Sequence, residues 1–538
     1  MKKLIFVFIF LTSFSTCIGI YKFGFNDGIK INIAAMLCAF ENRVSIDRIP
    51  DDVPIYELKI KEKDWEKICN NLPKSKKEKI DVIFHHNGKD YNAKIKFRGH
   101  LKLHWGGKKK SIRVYFKENS PFGSINQMNF INPKTYQMTN NHIATWIGNK
   151  VQTNTLLDKL VFLKINGKNY GLMEMVEQPS KKYEINANLG TENVTLFKGD
   201  YLEDKNGKDS LVNLWASLKN WKIKNFNDEA VKKFDSLIYL LNRRDISLKD
   251  RFLKINKLVL IDEFLKFYAT LTLANTQHID QTHNQIIILS NLRNKFCPVL
   301  WDPTLMWSTP NNHFYNFYDP LSYYILKNPL WREQRDKLIY QFIINFYDSG
   351  KLINYHKNLE NKLWSSVKID YNKCNPIGEN LNNVYRFSNS MYLNSNNKIR
   401  HIIKSYYDLI KTNINDSDIE EVKIDENTVK ISYSTNVPII LEIKCKDKLE
   451  CLNVKFLNKY GKVIKKQNEF LTIKLFGDII HEDGLNGSYY KNFSGFKKIS
   501  VSEEIYIEAA PLELKILNSI TKDTIKKIYI NELSENYR

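Results

Sequence analysis

Three side chains that could carry acid–base chemistry or bind a metal through oxygen lie close together in this sequence. Asp280 and Asn284 belong to "HIDQTHNQ", and Asp302 belongs to "PVLWDPTLMW". Between them, "QIIILSNLRNKFCPVL" contains two β-rich stretches joined by a polar turn from Asn291 to Lys295, which predicts a hairpin. Such a hairpin would return Asp302 to the side of Asp280 and Asn284.

Kinase-like phosphotransferases use an Asp and an Asn before such a hairpin and an Asp after it as a catalytic carboxylate and two Mg²⁺ ligands. Phosphoryl transfer is therefore the first hypothesis. Asn284 follows Asp280 by four residues, one fewer than in the standard kinase catalytic loop. In the alternative interpretation, Asn284 caps a helix and Asp302 forms a turn with Pro303. His278 and His283 flank Asp280 at a spacing that does not indicate a metal pair, so we expect exposed loop histidines.

A second chemical signal is a loop rich in glycine and lysine. In "KIKFRGHLKLHWGGKKKSIRVYF", two predicted strands flank Gly99, Gly106, Gly107 and then three lysines. Glycines let backbone N–H groups approach phosphate oxygens, and a lysine at the start of the next strand can reach those oxygens. The alternative is ordinary turn and solubility chemistry in a hairpin loop.

The elements that must position these residues fall into successive blocks, which together predict an α+β chain. Short alternating strands, an amphipathic helix and a hairpin with an Asn166–Gly167 turn occur first, followed by helical periodicity and then by strands spaced as in a β-sandwich. We place the boundaries at 56–225 for the β-rich block, 226–417 for the helical block, 418–518 for the C-terminal β-module and 519–538 for a final strand or tail.

The N-terminal residues 1–25 predict a membrane anchor or a signal peptide, and residues 26–55 a linker. Lys2 and Lys3 precede an uncharged run from Leu4 to Ile20. For an uncleaved helix, the positive-inside rule keeps the lysines in the cytoplasm and places the rest of the chain outside it. There, Cys445 and Cys451 could form one disulfide, although two reduced thiols are an equal alternative.

The charge balance favours anionic partners. Lys+Arg 81 against Asp+Glu 59 gives a net charge of +22, which suits a nucleotide, an acidic glycan or a lipid headgroup. The lysines are spread along the whole chain, with no recognised nucleic-acid module and no concentrated arginine patch, so we expect no nucleic-acid partner.

Taken together, these stretches resemble the spore-coat CotH family of atypical protein kinases, in particular its membrane-anchored bacterial members. The resemblance is carried by "FRGHLKLHWGGKKKSIRV", "NFINPK", "INGKNYGLMEMVEQPSKKY", "TLFKGD", "HIDQTHNQ" and "VLWDPTLMW", in order from Tyr56 to Trp307. It implies a divergent two-lobed protein-kinase-like fold, with the β-rich block as N-lobe and the helical block as C-lobe. It also implies transfer of the ATP γ-phosphoryl group, with Mg²⁺, to a protein.

The resemblance assigns a role to each candidate residue. Asp280 would be the catalytic base, and Asn284 and Asp302 would hold Mg²⁺. Lys110 would hold the nucleotide phosphates, with Lys109 as the rival choice.

Two further matched positions are assigned to the nucleotide site, each with a structural alternative. Arg98 stands at the "RG" position of the family and is either a phosphate contact or part of a strand salt bridge. Glu177, before Pro179, is either a nucleotide-site residue or the structural partner of a lysine.

The chain departs from the family pattern in two places. Thr304 stands where the family usually has a second Asp after "WD", and "NNHIATWIGNKVQ" offers no acidic partner for the nucleotide lysine. These departures support a second function, an inactive kinase-fold scaffold in the cell envelope that binds an assembly partner or an anionic polysaccharide. A third possible function is that of a glycan hydrolase, with Asp280 and Asp302 as its paired carboxylates. This function would leave the glycine and lysine loop without a role.

Overall fold

The computed structural model shows an α+β chain made of two compact units. The first comprises Met1–His142, Leu156–Glu184 and Tyr355–Ile399, and the second comprises Ile143–Thr155, Ile185–Asn354 and Arg400–Arg538. The residues that the structure describes are 53–99, 104–107, 109–117, 119–123, 125–133, 135–179, 194–200, 202–203, 209–210, 212–276, 278–304, 317–370, 372–376, 384–386, 388–425, 428–435, 437–445, 454–456, 461–467, 470–475, 499–507 and 511–529.

A closed β-barrel is the main feature of the first unit. Its strands are β1 (Ile55–Lys59), β2 (Ile80–His86), β3 (Lys89–Phe97), β4 (Ile112–Phe116), β5 (Gln127–Ile131), β6 (Asp158–Ile165) and β7 (Lys168–Glu177). They are hydrogen-bonded in the order β1-β2-β3-β4-β5-β7-β6, and a parallel pairing of β1 with β6 closes the ring. Helices α1 (Glu62–Asn70) and α2 (Asn140–Val151) occur among these strands in the sequence.

Alternating apolar residues fill the barrel. In β3, Ala93, Ile95 and Phe97 are buried, and the residues between them are more exposed. Full burial of a side chain such as that of Ile95 or Phe97 contributes about 1.5–3 kcal/mol to the free energy of folding. The predicted strands and the Asn166–Gly167 hairpin are confirmed, whereas the closure of the sheet into a barrel was not anticipated from the sequence.

In the second unit, a four-stranded sheet and several helices share one hydrophobic core. The strands β8 (Leu196–Gly199), β9 (Leu202–Glu203), β10 (Asp209–Ser210), β11 (Trp221–Lys224), β12 (Gln285–Ser290) and β13 (Lys295–Pro298) occur here, and β11-β8-β12-β13 form the sheet. The helices are α3 (Asp228–Asn242), α4 (Leu248–Leu258), α5 (Ile261–Leu273), α6 (Pro320–Lys327) and α7 (Pro329–Phe342). Every residue of β12 is buried, as expected for a strand covered on both faces.

Two long helices follow α7. These are α8 (Lys351–Ile369) and α9 (Asn389–Asn415), with the short strands β14 (Cys374–Pro376) and β15 (Val384–Arg386) between them. A π-helical turn at Ile343–Asp348 directly extends α7. Helices α3 to α9 therefore occur in the stretch where helical periodicity was predicted.

The C-terminal β-module consists of two antiparallel sheets over one core. Its strands are β16 (Ser417–Asp425), β17 (Thr428–Thr435), β18 (Ile439–Cys445), β19 (Val454–Phe456), β20 (Gly461–Gln467), β21 (Phe470–Leu475), β22 (Ile499–Ile507), β23 (Pro511–Asn518) and β24 (Thr524–Tyr529). The sheets β16-β17-β22-β19 and β20-β21-β18-β23-β24 both contribute to a single apolar cluster. Cys445 is buried, and Cys451 lies outside the described residues.

The predicted N-terminal anchor, residues 1–25, also lies outside the described residues. Within the part of the chain that the structure describes, no helix has both the length and the apolar character needed to cross a bilayer.

Candidate functional site

The predicted hairpin forms and brings the three oxygen-bearing residues of the second unit together. In its register, Ile287 faces Pro298, and the Val299 N–H donates to the Ile286 carbonyl over 2.9 Å. Because the strands are antiparallel, the residues before β12 and those after β13 meet at the same end of the sheet.

His278 connects Asn284 to Asp302. The side-chain amide of Asn284 donates to the His278 carbonyl over 2.9 Å, and His278 Nδ1 donates to the Asp302 carbonyl over 3.0 Å. His278 Nδ1 is also 3.7 Å from the Asp302 carboxylate. The two predicted Mg²⁺ ligands therefore belong to one hydrogen-bonded cluster.

Asp280 is held by its own turn. Its Oδ1 accepts hydrogen bonds from the Thr282 N–H over 2.6 Å and from the Thr282 hydroxyl over 2.7 Å. It also accepts from the His283 N–H over 3.2 Å, and His283 Nδ1 lies 3.0 Å away. An Asp side chain bonded to the backbone two residues ahead forms an Asx-turn, which fixes the carboxylate relative to that turn.

The prediction that both flanking histidines are exposed was wrong for His283. Its side chain is 10% exposed, because it packs beside Asp280 and its ring lies 5.4 Å from that of His278. The His278 side chain is partly exposed. Tertiary packing around a loop decides such burial, and sequence periodicity does not report it.

Both predicted metal ligands have a left-handed backbone. Asn284 has a φ of 59° and Asp302 a φ of 52°, in the region that Asn and Asp tolerate better than other non-glycine residues. Asn284 directly precedes β12, so it does not have the helix-capping role of the alternative interpretation.

The donor set suits a hard cation that keeps part of its own hydration. In the described part of the chain, no group of three or more His, Cys, Asp or Glu residues could hold a metal ion. Mg²⁺ is commonly bound by one or two protein oxygens, with water and substrate phosphates completing the shell. Asn284 and Asp302, whose side chain is 17% exposed, supply oxygens of that kind.

In the first unit, Lys110 folds back onto the glycine-rich loop. Its Nζ donates to the carbonyls of Trp105 over 2.8 Å and of Gly107 over 2.7 Å. Burial lowers the pKa of Lys110, with a smaller opposing effect of Cys69. Residues 100–103 and 108 of this loop lie outside the described residues.

Lys109, the rival candidate, makes an ion pair that the sequence did not indicate. Its Nζ lies 2.5 Å from Asp370 Oδ2 and donates to the Leu172 carbonyl over 3.0 Å. Both charged side chains are 0% exposed. Asp370 follows α8 in a stretch without a recognisable motif, so only the tertiary structure identifies this acidic partner.

The surroundings of Asp370 are shaped to receive its carboxylate. Asp370 Oδ2 accepts from the Leu172 N–H over 3.0 Å, and Oδ1 accepts from the Asn372 N–H over 3.1 Å. Gly171 has a φ of 130°, and a Cβ added there would lie 2.3 Å from Asp370 Oδ1. Glycine is therefore required at this position by both conformation and space.

The two remaining predicted residues also belong to the first unit. Arg98 follows β3, is partly buried, and donates its backbone N–H to the Ser111 carbonyl over 3.0 Å. Glu177 ends β7, is buried, and donates its N–H to the Leu157 carbonyl over 3.0 Å. Asp280, Asn284 and Asp302 belong to the second unit.

Comparison with known proteins gives one family. No curated protein matches the chain. The family model described as CotH kinase protein matches residues 95–415, which is more than half of the 538 residues. The match spans the glycine-rich loop and the hairpin with its three oxygen-bearing residues, and the chain therefore belongs to the CotH kinase family.

Proposed function

We propose that this protein transfers the γ-phosphoryl group of ATP to a serine or threonine of a protein, with Mg²⁺ as cofactor. The observation that carries the proposal is the gathering of Asp280, Asn284 and Asp302 at one end of a hairpin in a CotH-family chain. Phosphoryl transfer needs a positioned carboxylate and oxygen ligands for Mg²⁺, and these residue types supply them.

In the proposed mechanism, Asp280 orients the acceptor hydroxyl and receives its proton as the phosphoryl group moves in line. The Asx-turn through Thr282 and His283 keeps the Asp280 carboxylate in one orientation while it acts. Asn284 and Asp302 would hold Mg²⁺, which neutralises the charge of the phosphates when it is bound.

The proposal assigns phosphate contacts to the glycine-rich loop of the first unit. Lys110 already donates to two loop carbonyls, and phosphate oxygens are stronger acceptors that could replace them. Lys109 is assigned a structural role because its buried ammonium group pairs with Asp370 and donates to the Leu172 carbonyl. Arg98 and Glu177 are assigned to the nucleotide site by family position, within a two-lobed kinase-like arrangement.

The proposal also covers location and partners. The N-terminal apolar run would anchor the protein in the membrane, with the remaining chain in the cell envelope. Its partner would be a protein substrate or an envelope assembly partner, and the net charge of +22 would also favour an anionic polysaccharide.

A second candidate function is an inactive kinase-fold scaffold. The observation that favours it is Thr304, because a threonine cannot supply the carboxylate that the family usually places there. The two functions differ in a direct way, since a scaffold without a working site needs neither ATP nor Mg²⁺.

The test measures nucleotide binding by the full chain. Binding is detected as a change in the midpoint of thermal denaturation, with ATP and Mg²⁺ and with ATP and EDTA. We expect a Mg²⁺-dependent rise in the midpoint that Asp302→Ala abolishes. The control is Asp348→Ala, which removes a partly exposed carboxylate bound to Lys411 in the same unit. The absence of a shift with nucleotide in the unchanged protein would favour the scaffold, and an undiminished shift in Asp302→Ala would remove Asp302 from the site.

A further inference from the structure

We infer that Gln285 and Asp319 are positioning residues that hold the Asp280 turn in place from the side of the helices. The inference rests on the proposed function, because it concerns the carboxylate to which that function assigns proton transfer. It adds two residues to which neither the sequence motifs nor the family comparison gives a role.

Gln285 bridges the Asp280 turn and Asp319 with one amide group. Its Nε2 donates to the Asp280 carbonyl over 2.9 Å and to Asp319 Oδ2 over 3.0 Å. A side-chain amide has two N–H donors, so these contacts use both. Gln285 is the first residue of β12 and is 4% exposed, so water does not readily replace either bond.

Asp319 is fixed by two helices. It is the N-cap of α6, where its Oδ1 accepts from the Ser322 N–H over 2.6 Å and the Ser322 hydroxyl completes a capping box. The hydroxyl of Tyr268, on α5, donates to Asp319 Oδ1 over 3.3 Å. Asp319 and Tyr268 are both buried, so the Asp319 carboxylate is held in one position relative to α5 and α6.

Because Asp319 is buried, the hydrogen bond from Gln285 is needed to stabilise its carboxylate. The pKa of Asp319 is raised from 3.8 to about 6. Burial is the largest cause, and hydrogen bonds from Ser322, Tyr268 and Gln285 oppose it in part. A buried carboxylate is costly unless donors satisfy it, so each of these bonds resists displacement. The chain of contacts from α5 and α6 through Gln285 to Asp280 is therefore difficult to deform.

The Asx-turn alone does not fix the position of Asp280 relative to helices α5 and α6. It fixes the Asp280 carboxylate relative to Thr282 and His283, whereas the bond from Gln285 ties the same turn to the helices. A catalytic group gains rate when supporting hydrogen bonds hold it close to its productive geometry. Loss of Gln285 should therefore reduce turnover while leaving nucleotide affinity little changed.

The experiment compares Gln285→Met with a matched control, Asn154→Leu. Asn154 is 5% exposed, and its amide also donates to one carboxylate, Glu263, and to one backbone carbonyl, Pro298, both over 3.2 Å. Both substitutions keep the size of the side chain and remove a buried amide. The control therefore carries the same structural cost without the link to Asp280.

The assay is transfer from radiolabelled ATP to casein, used as a probe substrate, and to the full chain itself. We expect Gln285→Met to lower kcat by about tenfold, with KM for ATP changed by less than about twofold. Asn154→Leu should change neither. The two variants should have similar thermal midpoints.

A second measurement asks whether the two residues act through one path. Asp319→Asn keeps a good N-cap residue but disturbs the acceptor of the Gln285 amide. If the residues act together, Gln285→Met combined with Asp319→Asn should lower kcat little more than Gln285→Met alone. Losses that multiply would overturn the shared path.

The outcomes separate this inference from the proposed function. If the unchanged protein transfers phosphate and Gln285→Met behaves as Asn154→Leu does, the positioning role is overturned and the kinase function remains. If the unchanged protein transfers no phosphate to casein or to itself and binds no ATP, the proposed function fails, and the inference fails with it.

Discussion

The charged residues of the two units are arranged in opposite ways. The side chains of Asp280 and Asp302 in the second unit are 19% and 17% exposed, and the contacts described above join them to residues close by in the sequence or across one hairpin. Lys109 and Asp370 in the first unit are 0% exposed and 261 residues apart. The first arrangement leaves the carboxylates partly exposed to solvent, and the second joins two distant segments of the chain through a buried ion pair.

The difference follows from the cost of removing charge from water. Burying a lysine and an aspartate is compensated only when geometry and extra hydrogen bonds are good, and here Leu172 and Asn372 supply such bonds. A partly exposed carboxylate keeps some hydration and can exchange it for a metal or a substrate hydroxyl. Substitutions in the two regions should therefore affect different properties.

Asp280→Asn should produce the largest effect, and it should be on activity. The amide keeps an oxygen to accept the Thr282 and His283 bonds but cannot receive the substrate proton. We expect transfer to casein to fall by about 10²- to 10⁴-fold with an unchanged thermal midpoint. An active Asp280→Asn variant would show that Asp280 is not the base.

Lys109→Met should instead affect stability. It leaves the Asp370 charge buried without its partner, which should cost about 3–5 kcal/mol in a denaturant titration. Combining it with Asp370→Asn should recover part of the loss, because the buried charge is then gone. Lys411→Met, which breaks a partly exposed pair with Asp348, is the control and should cost about 0–1 kcal/mol. Equal losses in the two single variants would contradict the contrast.

The pH dependence of stability should reveal Asp319, a buried carboxylate whose hydrogen-bond donors are uncharged. Its pKa is about 6 in the folded protein against an ordinary 3.8, so folding disfavours its ionised form. The free energy of unfolding should therefore fall as pH rises from about 3.8 to about 6, by about 3 kcal/mol in total, and level off above. The difference in stability between the unchanged protein and Asp319→Asn isolates this group, and a constant difference across that range would contradict it.

Gly171→Ala should have the smallest effect of the four, and it tests the space around Asp370. An alanine there combines a left-handed φ with a contact against the carboxylate. The control is Gly167→Ala, at a φ of 76° with nothing within 4 Å of the added Cβ. Gly171→Ala should be less stable than Gly167→Ala by about 1–3 kcal/mol, because only the former must displace Asp370. Equal midpoints would show that the carboxylate can move without cost.

The sequence identified the features that depend on neighbouring residues. The alternation of Ala93, Ile95 and Phe97 predicted β3, and two apolar runs around a polar turn predicted the hairpin that gathers Asp280 and Asp302. Strand β5 was missed because four of its five residues are buried, which hides the period of two.

Features that join distant parts of the chain were not predictable. The parallel pairing of β1 with β6, the burial of His283 and the bond between Gln285 and Asp319 all depend on tertiary packing. The sequence offered Lys109 and Lys110 as rivals, and only the position of Asp370 distinguishes their surroundings. Local sequence patterns predict secondary-structure elements and motifs. The partners of buried charged residues are identified only in the folded chain.

The ion pair between Lys109 and Asp370 also constrains the order of events during synthesis. A ribosome that has made the barrel strands, which end at Glu177, has still to add Asp370 nearly two hundred residues later. Until then the lysine of the barrel has no carboxylate, and its burial is opposed by the cost of an unpaired charge. The buried ion pair of the first unit therefore forms only after α8 and Asp370 have been synthesised.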